Sequence, residues 1–231
     1  MPWDGLLIFR GGSLGRRELA LSGVEGRLPL HACRCTSPLE ARATNMNTSG
    51  KPGQLRPVIS AEQIQKRVCE LARQISDDYQ GKTIHALALL ENSFIFMADL
   101  VRWLEVPVTC QFIKPKYRKT QDASSGEILE IFFSHEPDIR GQHILLVEGL
   151  VHSGVTTEFL MSDLRARGAA SVKVATLLDR QSARRVELQP DYFGFLVDEA
   201  FLVGYGLGSV EQTGRNLPYI AATMAGGHLS H

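Results

Sequence analysis

The chain has 231 residues, 44% of them hydrophobic and 22% charged, a balance that excludes a disordered polypeptide and fits one globular domain with room for an extension. Lys plus Arg and Asp plus Glu number 25 each, which excludes a protein that grips nucleic acid by bulk positive charge. No apolar run reaches the ~18 residues of a membrane span, so neither a membrane nor a nucleic acid is expected as partner.

Residues 1–45 hold Arg10, Arg16, Arg17, Arg27, Arg34 and Arg42, but also Asp4, Glu18, Glu25 and Glu40. Transit peptides are poor in acids, and a secretory signal joins a basic start to an apolar core, so neither pattern fits. The stretch from Met46 reads as an ordinary flexible protein start. Residues 1–45 therefore read as an unstructured leader or an upstream start-site artefact. The expected organisation is a disordered extension over 1–56 and a domain over 57–225. Cys33 and Cys35 form a C-x-C pair without a second pair at ligand spacing, and Cys69 and Cys110 stand alone among apolar residues. Neither a zinc site nor a disulfide framework is expected, and a reducing cytoplasm is the default.

From about residue 57 the pattern becomes regular. Ser60-Ala-Glu-Gln63 is a capping box, and Ile64, Val68, Leu71, Ala72, Ile75 and Tyr79 follow at helical spacing. The apolar run 83–90 predicts a buried strand, 93–104 a helix and 106–113 a strand. Residues 114–126 are polar, basic and turn-rich, and read as a loop. Strands are predicted at 128–133, 143–147 and 171–178, with a helix over 156–167 between the last two. Shorter strands are expected near 192–197, 200–203 and 218–223. Strands alternating with helices of this length predict an α/β fold with a mainly parallel sheet covered on both faces. In such sheets the ligand sits beyond the carboxyl ends of the strands, here the loops at 90–93, 148–156, 179–184 and 204–215.

The most informative segment is Ile144-Leu-Leu-Val-Glu-Gly-Leu-Val-His-Ser-Gly-Val-Thr-Thr157. A buried strand runs into a small-residue loop that opens a helix. Free backbone amides, hydroxyls and the positive end of the helix dipole make such a loop a phosphate site. A plain strand-to-helix turn would also use Ser and Thr, as caps, and spacing leaves both readings open.

This segment resembles the phosphoribosyl-pyrophosphate motif of type I phosphoribosyltransferases: four apolar residues, two acids, two apolar residues, then Asp-Thr-Gly-x-Thr. Other stretches resemble the hypoxanthine-guanine branch. They are Ser124-Ser-Gly-Glu127, Ala175-Thr-Leu-Leu-Asp-Arg180, Gln189-Pro-Asp-Tyr-Phe-Gly-Phe195, Phe201-Leu-Val-Gly-Tyr-Gly-Leu207 and Arg215-Asn-Leu-Pro-Tyr219, and together they span roughly 58–222. The resemblance implies the type I fold with a small C-terminal hood. It also implies a homo-oligomer, dimeric or tetrameric, and a purine-salvage reaction. A 6-oxopurine attacks the anomeric carbon of magnesium-bound phosphoribosyl pyrophosphate, giving a purine nucleoside monophosphate and pyrophosphate.

Residue by residue, the resemblance assigns His152, Ser153, Gly154, Val155, Thr156 and Thr157 to the 5′-phosphate. Arg180, Phe201 and Leu202 fall to the purine, with Phe201 stacking on the base and Leu202 offering backbone groups to its edge. Glu91, Asn92 and Arg215 fall to the pyrophosphate loop. Lys116, Tyr117, Ser124, Ser125 and Gly126 fall to a flexible loop that is either a solvated basic segment or a lid whose cations meet phosphate.

Several of these positions depart from the family. Glu148 keeps one of the two adjacent acids that in the family grip the ribose hydroxyls, a catalytic role, while its neighbour is Gly149. His152 replaces the Asp that assists a purine proton; it serves either as a substituted base or only as a hydrogen-bonding loop residue. Glu91 replaces a Lys beside the pyrophosphate, and Gly208 replaces a late acid. Of the acids that hold magnesium, Glu148 remains, with Glu91 as a second candidate. The cations Lys114, Lys116, Arg118 and Lys119 are expected to offset these losses. Two functions follow: a purine phosphoribosyltransferase with weakened catalysis, or an inactive nucleotide-binding homologue acting as sensor or regulator.

Overall fold

The amino-acid sequence folds, in a computed structural model, around two sheets. The structure describes residues 55–119, 127–133, 138–199, 201–208 and 213–223. The larger sheet has six strands in the order β4 (Glu127–Phe133), β3 (Val108–Lys119), β2 (Ile84–Leu89), β5 (His143–Val151), β6 (Ser171–Asp179) and β7 (Tyr192–Leu196). All its pairings are parallel except β3 with β4. Helices α1 (Ala61–Asp78) and α2 (Phe94–Trp103) pack on one face, and α3 (Val155–Ala166) on the other.

Strand β5 shows why its sequence is an unbroken apolar run. Leu145 and Val147 pack with Leu71, Ile75, Phe96 and Leu100 of α1 and α2. Ile144 and Leu146 pack with Leu160 and Leu164 of α3. A strand covered on both faces needs apolar residues at every position. The expected capping box is present: the Ser60 amide donates to Gln63 Oε1 at 2.8 Å, and the Gln63 amide donates to Ser60 Oγ at 3.3 Å.

A second, antiparallel sheet of three strands, β1 (Leu55–Ile59), β9 (Ile220–Thr223) and β8 (Leu202–Val203), forms the hood. Its turn at Gly204–Leu207 is tied back to the main body, where the buried Tyr205 hydroxyl donates to Asp99 of α2.

Two expectations need correction. Residues 114–119 are not loop: β3 continues through them, pairing Lys114 with Phe132 and Lys119 with Glu127. The partner strand overrides the polar, turn-prone composition by accepting and donating the ladder bonds. Pro115 is tolerated because β2 ends opposite Ile113, so beyond it β3 has a neighbour on one side only. The folded domain also starts two residues earlier than expected, since β1 begins at Leu55, inside the segment assigned to the extension. The rest of that segment, 1–54, lies outside the described residues.

Candidate active site

Strand β5 ends at Val151 and hands the chain to a three-residue loop before α3 begins at Val155. Gly154 is the helix N-cap, with φ of 78°, and has no side-chain capping bond. The Val155 amide reaches Ser153 Oγ only at 3.5 Å. The first turn of α3 thus presents its electropositive end at the carboxyl edge of the sheet, as the phosphate reading requires. His152 through Thr157 are contiguous around it. Thr157 differs from the others: its side chain is buried and its hydroxyl donates to Glu148 Oε1 at 2.6 Å, which leaves its backbone as the part that faces the loop.

A residue not singled out from sequence lies behind this loop. Arg184 is ion-paired with Asp179, whose side chain is 1% exposed at the end of β6, and its own side chain is 11% exposed. Its NH1 is buried without a hydrogen-bond partner, and a Cβ placed on Gly154 would lie 3.2 Å from it. The Arg185 amide donates to the Ser153 carbonyl at 2.9 Å, so the segment after β6 braces the loop by backbone as well as by charge. No local pattern separates Arg184 from Arg185; only the fold turns its guanidinium inward to Asp179.

Arg180, which the resemblance assigns to the purine, and His152 come together, NH1 to Nε2 at 3.2 Å. A guanidinium has no acceptor, so the imidazole Nε2 is the acceptor and its proton sits on Nδ1. Leu202 lies in β8, the edge of the hood sheet, with its side chain in the core; one edge of this strand's backbone has no strand partner within that sheet. Phe201 precedes it, partly exposed, its carbonyl accepting from the Thr223 amide at 3.0 Å.

The third group surrounds the loop after β2, where the Leu90–Glu91 peptide is cis. Glu91 accepts from Lys114 Nζ at 2.9 Å and lies 3.5 Å from Arg215 NH2. The Lys114 hydrogen bond and charge, with Arg215 behind, hold its carboxyl below the usual range. Arg215 NH1 donates to Asn92 Oδ1 at 2.8 Å and to the Gly206 carbonyl. Lys116 and Tyr117 are described by backbone alone, within β3, and Ser124, Ser125 and Gly126 lie outside the described residues.

Residues 60–209 match the family described as phosphoribosyl transferase domain. The hypoxanthine-guanine phosphoribosyltransferase of Bacillus subtilis (strain 168) is 37% identical over 163 residues, 71% of this chain and 89% of that one. The chain belongs to the hypoxanthine-guanine phosphoribosyltransferase family. The hypoxanthine phosphoribosyltransferase of Haemophilus influenzae is also 37% identical, over 72% of this chain and 94% of that one. The crystal structure of a hypoxanthine-guanine phosphoribosyltransferase from Bacillus anthracis superposes with a TM-score of 0.65 at 36% identity, covering 72% and 96% of the two chains. The type I phosphoribosyltransferase fold and the hood are those of the family.

Within this family frame the departures have physical causes. A Cβ on Gly149 would lie 2.2 Å from the Asn92 carbonyl oxygen, so no acid fits there while the 91–92 loop keeps its place. A Cβ on Gly208 would lie 2.8 Å from Arg215 Nε. Glu148 points the other way, into the space between β5 and α3, at 8% exposure, and burial pushes its carboxyl up to about 7 against the pull of Thr157 and Arg184. These residues do not fit a magnesium ion held by the protein's own carboxylates. Glu148 is enclosed and engaged by Thr157, Glu91, the second candidate, is taken up by Lys114 and Arg215, and the described residues contain no group of three acidic, His or Cys ligands.

Because the folded Glu148 binds its proton more tightly than the unfolded chain, its contribution to stability is full below the ordinary value of 4.5 and is lost as pH rises through about 7. Denaturant titrations should show the wild type losing about 3 kcal/mol relative to Glu148→Gln across that window. Parallel curves for the two proteins would contradict the burial account.

Restoring the missing acids should have unequal effects. Gly149→Asp meets backbone and should cost about 3 kcal/mol. Gly208→Asp meets only the guanidinium of Arg215; moving it strains its bonds to Asn92 and Gly206, but the new carboxylate can pair with it, so the loss should be smaller, about 1 kcal/mol. Thermal melts of the two variants distinguish these cases.

Proposed function

We propose that the chain binds a 6-oxopurine nucleoside monophosphate and forms it, slowly, from hypoxanthine or guanine and phosphoribosyl pyrophosphate. The observation that carries this reading is the uncapped N-terminus of α3, braced from behind by Arg184 and Arg185, with Arg180 and His152 meeting beside it. The 5′-phosphate would take the backbone amides of 154–157 and the Ser153 and Thr156 hydroxyls. The purine would stack on Phe201, take backbone groups of Leu202 at its edge and receive a hydrogen bond from Arg180 at its oxo group.

In the reaction a purine nitrogen bonds to the anomeric carbon as the bond to pyrophosphate breaks. Positive charge develops on the ribose, so placement and charge stabilisation dominate the barrier. His152 would take the purine proton at Nε2, which requires Arg180 to release that atom and turn to the base. The same motion would present Arg180 to its ligand. No residue of this chain is assigned to magnesium, and the reading has none of the reaction depend on protein carboxylates. A cytoplasmic homo-oligomer is part of the proposal.

The second reading, a nucleotide sensor without turnover, is favoured by one observation: Glu148, Gly149 and Gly208 leave the ribose and pyrophosphate side without an accessible carboxylate from the positions that usually supply one. The test is product formation from phosphoribosyl pyrophosphate with hypoxanthine or guanine in magnesium buffer, beside calorimetry with inosine and guanosine monophosphate. The proposal expects monophosphate binding and slow turnover, lowered roughly 10²-fold or more by His152→Ala. Binding without turnover selects the sensor. No binding of either nucleotide overturns both.

A further inference from the structure

Glu91, Lys114 and Arg215 come from three separate elements: the loop after β2, the extension of β3 beyond its last pairing with β2, and the segment before β9. Both cations converge on the one carboxylate, Lys114 on Oε1 at 2.9 Å and Arg215 on Oε2 at 3.5 Å. Arg215 is oriented for this by Asn92 and the Gly206 carbonyl, and its side chain is only 19% exposed. A cation fixed in this way presents a defined seat for an anion.

The seat adjoins the nucleotide pocket. It lies at the carboxyl end of parallel strands, where ligands of such sheets bind. The Asn92 carbonyl presses on Gly149 of β5, three residues ahead of His152.

We infer that Glu91 is a resident anion in a seat built by Lys114 and Arg215, and so acts as a specificity-determining residue that leaves nucleoside monophosphates unaffected and weakens the hold on diphosphate groups, phosphoribosyl pyrophosphate among them, in line with slow turnover. The inference deepens the nucleotide-binding reading and rests on it. A monophosphate held at α3 leaves the ion-paired carboxylate undisturbed. A diphosphate brought to Lys114 and Arg215 must displace Glu91 into solvent or accept its charge at close range. Glu91 is half-exposed, so displacement is feasible and the discrimination is one of affinity, not of steric exclusion.

The test is calorimetric titration of inorganic pyrophosphate and of guanosine monophosphate into wild type, Glu91→Gln and Glu91→Gln/Lys114→Gln. Low ionic strength avoids screening of these exposed charges, and circular dichroism checks that all three proteins are folded. Glu91→Gln should bind pyrophosphate at least about tenfold more tightly than wild type, a gain of about 1.4 kcal/mol. Its affinity for the monophosphate should stay within about twofold, and the added Lys114→Gln should cancel the gain. Equal pyrophosphate affinity in wild type and Glu91→Gln, or an equal gain for both ligands, overturns the inference. Failure of all three proteins to bind the monophosphate overturns the nucleotide reading instead, whatever pyrophosphate does.

Discussion

Successive side chains of a β-strand point to opposite faces, and on β5 that alternation governs both the core and the site. Leu145 and Val147 serve the face under α1 and α2, while Ile144 and Leu146 serve the face under α3. Carried two residues further, the same alternation turns Glu148 toward α3 and Gly149 toward the loop before α2. One residue closes the space beneath the helix with a buried carboxyl. The other gives way to a backbone carbonyl. The adjacent acids of the family motif thus belong, in this chain, to two different environments.

The second environment makes the substitutions intelligible as a set. Asn92 presses against Gly149, Arg215 holds Asn92 and Gly206, and Gly208 makes room for the same guanidinium. Glu91 then brings back a carboxylate at a new place, where Lys114 and Arg215 receive it. Charge lost at two strand and hood positions reappears on the loop between them. The loop proposed to take the 5′-phosphate stands apart from this exchange. Its support is the buried Asp179–Arg184 pair and the Arg185-to-Ser153 backbone bond, on the other side of β5. A site altered on its pyrophosphate side and kept on its monophosphate side is the physical content of the functional proposal.

Much of this was legible from residue pattern. The buried strands at 84–89, 143–147 and 171–179, the capped α1 and the helix-opening loop at 152–157 follow from apolar runs, a capping box and small residues at a strand end, although β5 runs on to Val151 through residues 148–151 that read as loop. Three features were not. The extension of β3 through Lys114–Lys119 depends on a partner strand, and composition alone favours a loop there. Arg184 is indistinguishable from its neighbour Arg185 until the fold shows that one guanidinium turns inward to Asp179 while the other residue braces the loop through its amide. The reason for Gly149 is a contact with a residue 57 positions earlier, outside the reach of any local pattern.

The central claim is that the α3 N-terminus takes a nucleotide 5′-phosphate while the Glu91 cluster does not. A crystal structure of the complex with guanosine monophosphate tests it most directly. The account predicts the phosphate within about 3 Å of the backbone amides of 154–157, the purine against Phe201 and Arg180, and Glu91 still joined to Lys114. A phosphate seated on Lys114 and Arg215, with Glu91 displaced and the 152–157 loop vacant, would contradict it.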